Sequence, residues 1–463
     1  MLIGDTLVAY DATLRIVPRI AERWESFDDG RRLVFHLRRD VRWHDGVAVT
    51  ARDAVHTWEL LRDPIQGSPA KSVKFAAMQS VRAIDDWTVE TVLSQRYAGA
   101  LEAWATNPLL PAHRKLEAEN PIGCGAWRFV SWERGRRIVL RANPEHFEPP
   151  VISELRFEII PDYTTRYNAL RAGQIDLSSL HPEIATKAEN DVEFTKKFEM
   201  IEQRFPFLFY VAWLGDGRNP YFVDPRVRRA LTLAIDRESY IQHVTGGLGI
   251  VGITVHHPDL PGFDPSVKAW PYDPAAAAAL LREAGWIDSD HDGTLDKDGK
   301  PFRFALTYGR NTESERIGVY IQGALGKLGL QCHPEGVENA VLFERLSSRQ
   351  FDAIMLGTWL DPDPDFFDML HSSQHPTGQN YAGLNDPQID QWLEQARSSV
   401  DFNARRRPLE LLQARLHELE PMTVLFYPIS RIAVRRDLLG VRGCPLFWES
   451  RPGVAAWHWA RSP

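Results

Sequence analysis

Three carboxylates, one indole and two phenyl rings crowd into residues 359–367, where Asp361, Asp363 and Asp365 alternate with Pro362 and Pro364 between Trp359 and Phe366-Phe367. Each proline biases the residue before it, Asp361 or Asp363, toward extended geometry. The stretch therefore reads as a stiff loop that displays acids beside aromatics. Such a loop suits a ligand with a positive charge and an apolar body, and a solvated acidic turn has the same composition. The preceding residues 350–356 are short and apolar, which predicts a buried strand ended by Gly357.

Other spacings carry less chemistry. Gly247, Gly249 and Gly252 satisfy G-x-G-x-x-G, but a predicted helix precedes them and residues 254–261 do not read as one, so the context of a dinucleotide site is missing. Asp288, Asp290, Asp292, Gly293 and Asp296 resemble the start of a calcium loop, a weak structural candidate. Gly299 stands at its twelfth position, where an EF-hand needs a bidentate Glu. A hairpin rich in Asp and Gly is the preferred reading of these residues. His256-His257 lacks a placed third ligand, and His371 and His375 lie in a loop-like stretch. No H-E-x-x-H, G-x-S-x-G or P-loop occurs. A hydrolase built on Asp361, Asp363 and Asp365 lacks an acid and base at a defined separation. No catalytic residue is assigned, and no cofactor or metal is required.

With 463 residues the chain is long enough for two or three domains. Its 54 basic and 62 acidic residues leave a formal charge of -8, and no basic block is present, which argues against nucleic acid. No run approaches the ~18 apolar residues of a membrane span. Cys124, Cys332 and Cys444 form no C-x-x-C; a Cys332–Cys444 bridge and buried free thiols both fit. The residues after Met1 show no leader, which taken alone reads as cytoplasmic.

The elements that hold these residues interleave. Leu33, Phe35 and Leu37 alternate with polar neighbours as a half-buried strand. Thr50 and Asp53 resemble a capping box before Val55, Trp58 and Leu61 at helical spacing. Asp224-Pro225 and Asp273-Pro274 each place a cap before a first-turn proline, and Gly285 stops the second of these helices. Runs 137–141, 154–160 and 301–307 read as strands, so the class is α/β. Gly- and Pro-rich stretches 121–125 and 215–220 are the candidate boundaries.

Longer patterns carry a family resemblance. Residues 18–24 (PRIAERW), 35–46 (FHLRRDVRWHDG) and 50–55 (TARDAV) match a strand, W-x-D-G turn and T-A-x-D-V helix start. They are followed in order by Pro121–Trp127, by Asn143-Pro144-Glu145-His146-Phe147, by 171–176 (RAGQID), by 227–237 (VRRALTLAIDR) and by 280–286 (LLREAGW). Together these resemble the family 5 extracellular solute-binding proteins, the dipeptide and oligopeptide receptors of ABC importers.

The resemblance implies a periplasmic-binding-protein-like type II fold, two hinged α/β lobes plus an extra inserted domain. It maps residues 1–122 to the extra domain, 123–220 with 448–463 to lobe one, and 221–447 to lobe two. Members carry a leader and roughly forty further residues that begin lobe one, so a strand of that lobe is expected to lie outside this sequence. The resemblance implies a peptide-like ligand held in the interlobe cleft, with Trp359 and Asp361 at the ammonium end and Asp363 as a competitor. It also implies Arg310 on the ligand carboxylate and Tyr381 at the cleft border. A membrane permease is the implied partner, the monomer the implied state, and the outer face of the cytoplasmic membrane or the periplasm the implied place. Receptors for nickel complexes, oligosaccharides or opines are alternatives within the family, and a cytoplasmic ligand sensor is one outside it.

Overall fold

A computed structural model describes residues 2–63, 74–115, 117–399, 401–444 and 453–460. Helices and strands interleave along the whole chain. Backbone contacts divide it into two units. One comprises Met1–Phe205, Arg397–Asp401 and Ser430–Pro463, the other Pro206–Ala396 and Phe402–Ile429.

In the first unit, β1 (Ala21–Phe27), β2 (Arg32–Leu37), β3 (Met78–Asp85) and β4 (Thr88–Leu93) form an antiparallel sheet in the order β1-β2-β4-β3. Leu33, Phe35 and Leu37 of β2 are buried, as their alternation requires. Helix α1 (Ala51–Arg62) packs on β3. Its first turn explains why Asp stands where a capping box has Glu. One Asp53 oxygen accepts the Thr50 N–H at 2.8 Å and the other accepts the Ala112 N–H at 2.9 Å, so one side chain both caps the helix and fixes a distant segment. A cluster around Phe35, Trp43 and Trp104 fills this part. A second, separate cluster around Trp127, Leu140 and Trp457 underlies β5 (Trp127–Glu133), β6 (Arg137–Ala142) and β7 (Glu154–Glu158), an antiparallel sheet in that order. The short strand β8 (Leu177–Leu180) lies elsewhere in the unit.

The second unit is built on β9 (Phe207–Trp213), β10 (Gly249–Val251), β11 (Arg303–Gly309), β12 (Gln331–Val337), β13 (Ala353–Trp359) and β14 (Met422–Arg435). The strand order is β14-β9-β13-β11-β12, with β10 added on β14. Strand β11 runs parallel to β12 and β13, whereas β9 is antiparallel to β13 and β14. The helices Thr312–Gly326 and Asn339–Ser348 make the crossovers that parallel pairing needs. Strand β14 leaves this unit after Ile429, and its residues 431–434 pair with β8 in the first unit. Asp224 and Asp273 cap Pro225–Ala234 and Pro274–Glu283 as expected, accepting from Arg226 and Ala276 N–H, and Gly285 takes φ +90° after the second helix.

Two expectations change. The strand read over 350–356 is Ala353–Trp359, so Gly357 lies inside it, paired with Phe209, and does not end it. The glycine repeat at 247–252 serves packing: a Cβ on Gly252 would lie 2.2 Å from the Val424 carbonyl oxygen, so only glycine lets the two backbones approach. The three cysteines are free thiols; Cys124 and Cys332 are buried, and burial pushes both thiols up.

Two buried titratable groups of the second unit pull in opposite directions. Burial raises Glu420 to about 7, although Thr232 Oγ1 donates to it at 2.9 Å and Trp270 Nε1 at 3.2 Å. Between the ordinary carboxylate value and about 7 the folded state holds the proton more tightly than the unfolded chain, so this contribution to stability falls as pH rises through that window. Burial lowers His256 to about 4, so the unfolded chain is the better proton binder from about 4 up to the ordinary imidazole value, and stability rises with pH there. The two windows overlap, so the opposed slopes offset each other in the wild type and Glu420→Gln should uncover the rise with pH, read from denaturation midpoints across pH 4 to 8; a variant whose midpoints keep the wild-type pH dependence removes Glu420 as the offsetting group. Asp53→Ala should cost about 1–3 kcal/mol in the first unit, because the Thr50 and Ala112 N–H groups both lose their acceptor; an unchanged urea midpoint would contradict this.

Candidate functional site

Because β11, β12 and β13 are parallel, their C-terminal ends emerge at one edge of the second unit's sheet. Arg310 and Glu338 follow two of them, and Trp359 ends the third. In open α/β sheets ligands gather outside the carboxyl ends of the strands. Trp359 is 64% exposed there. Its ring meets Phe207 edge-on at 5.2 Å, Phe207 meets Phe209 in the same way at 5.2 Å, and Phe209 stacks on buried Phe426 at 5.0 Å. A row of rings thus runs from solvent into the core. Gly357 makes it possible, since a Cβ there would lie 2.5 Å from Phe207 Cζ.

Beyond Trp359 the chain keeps a two-residue alternation. Leu360, Pro362, Pro364 and Phe366 are buried, Asp361 is exposed, and Asp363 and Asp365 are half-buried. Alternate residues of an extended segment share a side and stand roughly 7 Å apart, so Trp359 and Asp361 face solvent together. The three acids have different employments. Asp363 receives both Arg405 guanidinium nitrogens, at 2.5 and 2.6 Å, and Arg405 is 97% buried. Asp365 Oδ1 accepts the Phe367 N–H at 3.2 Å, at the start of a short helix. Asp361 is the acid presented to solvent beside the indole. Phe366 packs at 5.1 Å from His256 and anchors the loop from below.

The remaining expected residues fall in different places. Arg310 lies on the same edge, half-exposed, with Nη2 donating to the Gly336 carbonyl at 2.6 Å and Nη1 3.9 Å from Glu338. Tyr381 sits toward the other end of β13. The Arg349 guanidinium lies 4.7 Å over its ring, and the next residue, Ala382, accepts the N–H of Gly215 just beyond the end of β9. Seven residues of strand span about 20 Å, so the structure does not bring Tyr381 to Trp359. Asp288, Asp290 and Asp296 place carboxylate oxygens within 4.8 Å of one another, a set that offers a cation three ligands. Asp292 is turned to the Thr294 N–H at 2.7 Å, and Asp296 already accepts the Ser289 N–H and hydroxyl at 2.8 Å each. These are the bonds of a turn, closed by the pairing of Asp296 with Pro301 and Lys297 with Lys300.

Residues 15–381 match the family of bacterial extracellular solute-binding proteins, family 5 Middle. The chain belongs to family 5. Over 462 residues it is 30% identical to the oligopeptide-binding protein AppA of Bacillus subtilis (strain 168), covering 95% of this chain and 83% of that relative. It is 27% identical over 453 residues to the nickel-binding periplasmic protein of Escherichia coli (strain K12), covering 94% and 84%. The solved structure of Bacillus subtilis AppA in complex with a nonapeptide superposes with a TM-score of 0.84 at 27% identity, covering 99% of this chain and 93% of that one. The fold is therefore the two-lobed type II α/β fold of family 5, and its members are solute-binding proteins.

Phe207, Phe209 and Arg405 escaped the sequence reading. Phe207 and Phe209 stand two apart, the spacing of one strand face, and that signal was available. Arg405 is 42 residues from Asp363, and nothing local announces their pairing. Gly357→Ala should displace the Phe207 ring and destabilise the unit by about 1–3 kcal/mol, measurable as a lower denaturation midpoint; a variant of unchanged midpoint would show that the ring moves freely. Arg405→Ala should cost about 3–5 kcal/mol, because a half-buried carboxylate loses its partner, and the double variant with Asp363→Asn should recover part of it. Equal losses in the single and double variants would refute that coupling.

Proposed function

We propose that this family 5 chain is the substrate-binding component of an ABC importer and that its solute is peptide-like. The observation that carries the ligand class is the exposure of Trp359 and Asp361 together on one side of the segment that ends β13. A carboxylate supplies the anion that an ammonium needs once it loses water, and the indole with the Phe207 ring offers an apolar wall for a side chain. Arg310 brings a planar fork suited to a carboxylate at the end of the neighbouring strand. The relatives support the same class: one is an oligopeptide-binding protein, and its structure was solved with a nonapeptide.

In this reading the chain performs no chemistry on its ligand, works as a monomer, and hands the solute to a permease at the outer face of the cytoplasmic membrane, as a periplasmic or lipid-anchored receptor. The two separate apolar clusters of the first unit support an extra domain at residues 1–122 beside lobe one. The unit boundaries favour ending lobe one at Phe205 and returning to it from Ser430, with lobe two between them, in place of the divisions at 220 and 447.

Calorimetric titration with unblocked di- to nonapeptides is the test. Wild-type protein should bind at least one length class, and Asp361→Ala should lose about 2–5 kcal/mol of affinity, whereas N-acetylation of the peptide should cost the wild type a similar amount and the variant little. Equal affinity in wild type and Asp361→Ala would refute the role of Asp361. Binding of nickel chelates with no peptide binding would overturn the ligand class.

A further inference from the structure

A cavity of about 530 Å³ is lined wholly by residues of the second unit, at the opposite end of β13 from Trp359. That volume falls within the roughly 300–1,000 Å³ of small-molecule sites. Phe304, Leu306 and Tyr308 of β11 point into the unit's main core. Ala305 and Thr307, which line the cavity, therefore belong to the other face of the sheet. Leu214, just after β9, and Phe351, just before β13, add apolar wall.

Three arginines and two acids line the space, and their bonds decide what it can take. Glu335 receives both Nη groups of Arg345, at 2.5 and 2.8 Å. Asp352 accepts the Ala305 N–H at 3.0 Å and Asn219 Nδ2 at 3.2 Å. Every carboxylate oxygen of the wall thus has a donor. The other two arginines are less complete. Arg218 is exposed and spends Nε on Asp216 at 2.5 Å, and its Nη groups have no hydrogen-bond acceptor among the described residues. Arg349 is 3% exposed. Its Nη groups donate to the Leu346 and Gly378 carbonyls and its guanidinium lies over the Tyr381 ring, yet its Nε–H has no acceptor among the described residues. A buried donor without an acceptor is costly. Burial lowers Arg349, and the Arg218 charge lowers it further. Asp216 offsets part of this charge, and it is shared with His375 at 3.3 Å. What the charged groups of the wall leave open is donors.

We propose that this cavity is a second ligand site, which takes a compact organic anion and holds its carboxylate or phosphate group on the Arg218 fork beside Arg349. An oxyanion supplies the acceptors that the two guanidinium groups lack and separates their like charges. The Leu214 and Phe351 surface meets the body of the ligand. A cation would find these two charges and no unengaged carboxylate, so it is disfavoured. This site is independent of the solute reading: it lies at the other end of β13 and uses neither Trp359 nor Asp361.

The test is calorimetric titration of the full chain with succinate, with inorganic phosphate and, as a neutral control, with succinamide. At least one anion should bind saturably with a Kd below about 1 mM, and succinamide should not. Hydrogen exchange at residues 214–219 and 349–352 should slow about threefold or more with that anion bound. Arg218→Gln changes an exposed side chain, so the fold should survive, and it should weaken the anion about tenfold or more, whereas Arg310→Ala should bind it as wild type does. Tighter succinate assigns a carboxylate ligand, and tighter phosphate a phosphorylated one. Three results would overturn the proposal: no saturable binding of either anion, equal binding of succinamide, or unchanged affinity in Arg218→Gln. Binding lost in Arg310→Ala but kept in Arg218→Gln would also overturn it, by moving the anion to the Trp359 edge, and would leave the solute reading intact.

Discussion

The approach of the Phe207 ring to the backbone at Gly357 sets the geometry on which the candidate site depends. Strand β9 reaches β13 antiparallel, so Phe207, the first residue of one, stands opposite Trp359, the last of the other. With any side chain at 357 the ring would be displaced, and Trp359 would lose the neighbour that holds its edge. The ring row then continues through Phe209 to Phe426 and Tyr240, whose hydroxyl donates to Glu313 at 3.0 Å. A solvent-exposed indole is thereby braced against a buried core, and a braced indole gives up less conformational freedom when a ligand arrives.

The charge pattern depends on the same backbone. Pro362 and Pro364 fix an extended course, and extended geometry sends successive residues to opposite sides. The buried side takes Leu360, both prolines and Phe366; the other side takes the acids. Among equivalent carboxylates, what separates roles is the surroundings. Asp363 finds Arg405, a nearly fully buried cation whose desolvation requires a close anion. Asp365 finds a helix N–H. Asp361, nearest the strand end, is left to the solvent face. A loop that reads as three similar acids thus holds a buried ion pair at Asp363, a helix-start acceptor at Asp365 and an exposed carboxylate at Asp361.

Much of this was legible in the sequence wherever the signal was local. The caps at Asp224 and Asp273, the alternation of Leu33, Phe35 and Leu37, and the ordered motifs from Pro18 to Trp286 led to the elements and the family without any long-range information. Gly357 misled because a glycine after an apolar run ordinarily ends a strand, whereas here it answers a steric demand made by Phe207, 150 positions earlier. Asp53 was legible as a cap but not as the acceptor of the Ala112 N–H. Arg405 and Asp363 show the same limit, since no periodicity links a loop acid to a helix cation. Tyr381, which the resemblance sets at the cleft border, lies toward the opposite end of β13 from Trp359, and nothing local to its sequence reports on which end of the sheet it falls.

The buried polar groups of the second unit show a further constraint that composition hides. Arg228 is lowered to about 10 by burial, yet its guanidinium donates to the carbonyls of Phe222, Val223, Leu419 and Glu420 and so satisfies the ends of several segments at once. Arg237 does the same for Gly252, Val424 and Trp270. Both arginines lie in the pattern VRRALTLAIDR that marks the family, and neither is part of the displayed edge. Their task follows from geometry: a planar fork can collect carbonyls from segments that no single helix or strand could satisfy. Glu420 lies close enough to both for its charge to act on them, and Thr232 and Trp270 hold its oxygens. Arg228 and Arg237, which help to make the family recognisable, therefore close the interior of this unit, while the candidate ligand edge is written in the less regular residues 357–361.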